Sequence, residues 1–165
     1  LVKINMLGQN RNTYYAARLR EVYLNGKWIA NTNYQEQILT IEWKEATKKI
    51  GELNSIALLL FHISYYLKGI QQVLNGGPLE IKDKYSFTMP EIKSSEDWEK
   101  LVNDFLRCAT SFADSVEQLN DEIFDQDFVD EKYGNYGRNI EAVIEHSYYH
   151  LGQICLINKM IQQGY

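Results

Sequence analysis

Apolar residues recur at intervals of three and four along four long stretches of the chain, the spacing that gives a helix one buried stripe. From Thr13 to Leu24 the stripe is Tyr15, Leu19, Val22 and Tyr23, and Asn25-Gly26 stops it. A second run, capped by Asn54 or Ser55, passes through Ile56, Leu59, Leu60, Ile63, Leu67, Ile70 and Val73 to Leu74, where Asn75-Gly76-Gly77-Pro78 closes it. The third follows Ser94 or Ser95, with Glu96 and Asp97 in its first turn, and buries Trp98, Leu101, Val102, Phe105, Ala109, Phe112, Ala113, Val116 and Leu119. The fourth runs from about Asn139 to Gln162; Val143, His146, His150, Ile154 and Ile157 share one side, and Cys155, Met160 and Ile161 broaden it.

The intervening segments are less regular. Residues 27–39 carry Trp28, Ile29, Tyr34, Ile38 and Leu39 without a sustained period, which reads as a packed connection holding one turn of helix. Thr40 then reads as the N-cap of a short helix through Trp43 and Ala46, ended by Gly51. Residues 79–93, with Pro90 among them, and 121–137 form two long connections. There is no internal repeat and little strand pattern, so the expected architecture is all-α, a four-helix bundle in one domain spanning residues 1–165. The long connections permit an order other than simple up-and-down.

Composition narrows the class. With 45% hydrophobic and 24% charged residues the chain is an ordinary globular protein, long enough at 165 residues to bury one core without a metal or disulfide staple. Net charge is -5, and the nearest basic clusters, Arg18 with Arg20 and Lys44 with Lys48 and Lys49, read as solvated helix faces, so no nucleic-acid partner is expected. No apolar run approaches the roughly 20 residues a membrane span needs. The opening LVKINMLGQN lacks the apolar core of a secretory leader, so a cytoplasmic protein is expected. Cys108 and Cys155 sit far apart within apolar helical patterns and read as buried free thiols.

The candidate chemistry lies in three histidines, all that the chain has. His146 and His150 stand one helical turn apart, which puts both rings on one face, and His62 lies mid-way along the second apolar helix, where a buried polar ring needs a partner. Neutral imidazoles are common ligands for zinc, nickel, copper and iron, and a three-histidine set leaves a coordination position open. Packing histidines with ordinary hydrogen bonds are the competing reading. A zincin site would need Glu after His146, where Ser147 stands, and a ferritin-like di-iron site would need Glu three residues before a histidine, where Leu59, Val143 and Ser147 stand. Gln153 should face the site as a hydrogen-bonding neighbour, with capping or packing as its alternative role. Tyr65 and Tyr66, one turn beyond His62, read as core with pocket lining as the alternative, and a nucleophilic Ser147 is disfavoured without a base beside it. Gly76-Gly77 reads as a helix stop rather than a phosphate cradle.

The segment Glu145-His146-Ser147-Tyr148-Tyr149-His150-Leu151-Gly152-Gln153-Ile154 resembles the HxxxHxGQ signature in the last helix of DinB/YfiT-like proteins, and Asn54-Ser55-Ile56 leading to Phe61-His62-Ile63 resembles their helix 2 signature. A looser likeness extends over the chain, through Gly26-Lys27-Trp28, Tyr85-Ser86-Phe87 and Tyr133-Gly134-Asn135-Tyr136. The resemblance implies an up-down-down-up bundle, frequently a homodimer, with one zinc, nickel or similar divalent ion on His62, His146 and His150. It further implies a small-molecule substrate, with the metal activating a low-molecular-weight thiol for transfer or isomerisation, or water for hydrolysis. The family's name records induction by DNA damage and implies no DNA binding. The non-enzymatic alternative is a metal-binding, dimerising module in which the histidines only tie two helices together.

Overall fold

The computed structural model describes residues 10–165; residues 1–9, where most of the stretch read for a secretory leader falls, lie outside the described residues. Every regular element among them is helical: α1 (Arg11–Arg20), α2 (Tyr34–Ile38), α3 (Trp43–Ala46), α4 (Ile56–Leu74), α5 (Ser95–Glu117) and α6 (Tyr136–Gln162). Among the described residues there is one isolated β-bridge, Asp127 to Asn135, and no helix that is long and apolar enough to cross a membrane.

The helices α4, α5 and α6 begin on side-chain caps that satisfy otherwise unpaired amides. Ser55 accepts from the Leu58 amide at 3.3 Å, Ser94 from Asp97 at 3.2 Å and Asn135 from Arg138 at 2.8 Å, each such cap being worth about 1 kcal/mol. The last helix therefore starts three residues before the expected Asn139. Gly137 is what hides the start: it reads as a breaker, yet a Cβ there would lie 3.1 Å from the Phe124 carbonyl, so the glycine admits close packing of α6 on the 3-10 segment Asp121–Asp125. The first helix begins at Arg11 rather than Thr13 and continues through Asn25 as a widened π turn. Thr40 is not the cap of α3. Its hydroxyl donates to the Gln37 carbonyl and closes α2, while Glu42 caps α3 with its amide bound to Glu45. Residues 27–39 are only partly packed, because Tyr34 and Ile38 are buried whereas Trp28 is 90% exposed.

One contiguous core joins the long helices. Its centre is aromatic: Tyr23 on the π turn, Tyr34 on α2 and Phe105 on α5 meet with ring centroids 5.2–5.7 Å apart. The buried hydroxyls are matched. Tyr34 donates to the Ser147 carbonyl at 2.9 Å, and Ser147 donates its only hydroxyl proton to the Val143 carbonyl, which makes Tyr23 the donor in the Tyr23–Ser147 bond. Around the rim, Arg11 grips Asp121 and Asp125 while Arg20 bridges Asp114 and Glu117. Arg20 is thus a tie between α1 and α5 rather than a solvated charge, although exposed pairs of this kind add little stability.

Candidate metal site

His62 sits in the second turn of α4, and His146 and His150 lie on consecutive turns of α6 where the two helices pack. The structure brings the three rings together. His146 Nε2 is 3.3 Å from His62 Nε2 and 2.9 Å from His150 Nε2, and the three candidate ligand atoms lie within 4.8 Å of one another. Two nitrogens bound tetrahedrally at 2.0–2.1 Å from one zinc ion are roughly 3.3 Å apart, so the spacing suits a shared cation. The rings are inclined to one another by 65–81°, so they meet edge to face rather than stacking. Without a cation, one proton at His146 Nε2 serves one neighbour and leaves the other lone pair unmatched.

The protonation states also suit a metal. His62 is 4% exposed and His150 6% exposed. Burial, reinforced by His150 and His146, pushes His62 down to about 4, while the Ser86 backbone, approaching short of hydrogen-bond geometry, opposes the shift. His146 is lowered by burial and by His150; His150 is lowered by burial, with Gln153 acting the other way. All three are neutral near pH 7, the form that ligates. The unfolded chain takes up protons near pH 6.5, whereas folded His62 does so only near 4, so the unfolded state binds more protons between those values. Stability of the metal-free protein is therefore complete above about pH 6.5 and declines as pH falls toward 4. Urea titrations of chelator-treated protein should show this decline, flattened in His62→Gln; a His62→Gln profile as steep as the wild type would contradict the neutral-ring assignment.

The three rings are held differently. His150 Nδ1 donates to Gln153 Oε1 at 2.6 Å, which fixes the tautomer and leaves Nε2 free for the shared point. His62 Nδ1 is buried without a hydrogen-bond partner. Its ring is instead sandwiched by aromatics, stacked on Phe87 with centroids 4.2 Å apart and met edge-on by Tyr66 at 5.0 Å. Phe87 arrives on a strap, residues 79–93, that follows α4 turn by turn. Ile81 packs where a Cβ on Gly69 would come within 2.3 Å, Tyr65 exchanges hydrogen bonds with the Lys82 backbone, and the Tyr66 hydroxyl donates to Asp83 at 2.7 Å. No match to this chain exists among protein-family models, curated proteins or solved structures.

Tyr66 is consequently no ordinary core residue. It is half-buried, lies 5.5 Å from the His146 ring, and burial followed by the Asp83 hydrogen bond pushes its hydroxyl up to about 12, so it stays protonated. Tyr65 likewise faces the strap rather than the interior. Tyr149 places its exposed ring 4.9 Å from that of His150. The spacing of four from His62 to Tyr66 was the available signal for Tyr66; nothing in the helical periodicity connects the loop residues Asp83 and Phe87 to it. Ser147 is buried, with its hydroxyl held between Tyr23 and the Val143 carbonyl. Both cysteines are free; Cys108 is buried, but Cys155 is only half-buried.

Proposed function

We propose that the protein is a DinB/YfiT-like metal-dependent enzyme, in which His62, His146 and His150 hold one zinc or nickel ion beside a small electrophilic substrate. The observation that carries this reading is the absence of a fourth protein ligand: among the described residues the clustered donors are three histidines with no carboxylate or thiol joining them. A structural site is closed by four protein ligands, whereas three leave a position for water or substrate. A bound ion of this kind supplies a lowered pKa for a small thiol or a water at its open side.

The chain's own residues provide the rest. Gln153 holds the Nδ1 proton of His150 and so keeps that ring's lone pair on the shared point. Phe87, Tyr66 and Tyr149 form an aromatic surround that limits water around the rings. The up-down-down-up order is supported by cross-contacts: Gln71, late in α4, reaches Ser111 and Ser115, late in α5, while His62 meets His150 and Tyr66, one turn later in α4, meets the earlier His146 of α6. A homodimer belongs to the same reading and is measurable by light scattering.

The test is metal analysis followed by a screen of the loaded protein against several low-molecular-weight thiols with electrophilic acceptors, alongside ester and amide hydrolysis. Bound metal with thiol transfer or hydrolysis supports an enzyme. Bound metal without turnover, whose removal by chelator collapses thermal stability, would assign a structural tie instead. Gln153→Ala is expected to weaken zinc affinity about 10- to 100-fold with little change in melting temperature, read by competition titration.

A further inference from the structure

A cleft of about 270 Å³ opens between α4 and α6, and His146 forms part of its wall. A larger groove, about 780 Å³, lies elsewhere, among Leu74, Leu106, Thr110 and Leu119, and touches none of the histidines. The smaller cleft leads away from the ring cluster along Ile63, Leu67, Ile70, Ala142 and Val143, and no charged side chain lines it. Its polar groups are mostly occupied: the Tyr66 hydroxyl is bound to Asp83, and the Ser147 hydroxyl is held between Tyr23 and Val143. Asn139, at the end remote from His146, spends its amide protons on the Tyr133 and Asn135 carbonyls, which leaves its side-chain oxygen as an acceptor.

From this lining we infer that the cleft is the substrate-binding pocket and that it takes the uncharged, apolar part of a small molecule, with a hydrogen-bond donor at its far end meeting Asn139. A charged group entering would be desolvated without a partner, whereas apolar carbon gains by leaving water. The volume sits just below the roughly 300–1,000 Å³ of drug-sized sites, which suits a single ring or a short chain. This assignment rests on the proposed metal site, because it takes the reacting end of the molecule to lie at His146.

Benzyl alcohol, benzoate and benzylammonium, titrated into methyl-labelled protein with and without zinc, test the inference by NMR. Benzyl alcohol should shift the methyl resonances of Ile63, Ile70 and Val143 and bind about tenfold or more tightly than either charged analogue. Ala142→Leu, which projects a side chain into the cleft from a half-buried position, should abolish those shifts while zinc stoichiometry is retained. Equal binding of the charged probes, or shifts confined to other surfaces, or binding indifferent to Ala142→Leu, would overturn the pocket. Loss of zinc binding with benzyl alcohol still bound would overturn the metal reading and leave the pocket in place, so the two failures are separable.

Discussion

His146→Ala is expected to lower affinity for zinc or nickel by roughly two to three orders of magnitude, and to leave protein purified from a metal-containing medium nearly metal-free. A complete structural zinc site is worth about 10–16 kcal/mol, so each of three or four ligands carries on the order of 3 kcal/mol. His146 is the most consequential of the three here, since its Nε2 is the atom within 3.3 Å of both of the others. Its ring is half-buried and accepts no structural hydrogen bond outside the cluster, so the metal-free variant should retain its fold, with stability changed by about 1 kcal/mol or less. Elemental analysis and competition titration read the first effect, and urea unfolding of chelated samples the second. Full metal content in the variant would mean that the ion binds elsewhere.

Phe105→Ala should be the most damaging single truncation, at about 3–5 kcal/mol in urea unfolding, a large share of the 5–15 kcal/mol that typical domains possess. The side chain is fully buried and packs against both Tyr23 and Tyr34. Those two tyrosines are fixed at their hydroxyl ends by Ser147, so they cannot swing inward to fill the space without breaking buried hydrogen bonds. Poor relaxation leaves a cavity, and a cavity is what raises the cost. Phe105→Leu should cost less than half as much. A loss below about 1 kcal/mol for the alanine variant would show that the aromatic centre is more adaptable than its geometry implies.

The α4 and α5 helices were legible because their stripes are long and each follows a pair of capping residues, Asn54 or Ser55 and Ser94 or Ser95, of which Ser55 and Ser94 are the caps. Thr40 misled because an N-cap preference and a closing hydroxyl look alike in sequence; only the carbonyl of Gln37 decides between them. Residues 136–138 were missed because Gly137 is a poor helix former whose value is the space it leaves beside Phe124. The histidine cluster was partly legible, since a spacing of four puts His146 and His150 together, but the approach of His62 depends on how α4 meets α6. Of what surrounds His62 only Tyr66, one turn on, was visible, as a loop residue such as Phe87 follows no period that ties it to a helix.

The strap between α4 and α5 has one more consequence. Because Ile81 docks at Gly69, Lys82 and Asp83 at Tyr65 and Tyr66, and Phe87 at His62, the segment works as a measuring tape laid along three levels of α4, and its length sets which aromatic ring arrives at His62. Adding or deleting a residue between Asp83 and Phe87 leaves the helices and their core untouched but slides the tape, so that an imidazole whose Nδ1 has no hydrogen-bonded brace loses the flat surface it rests against.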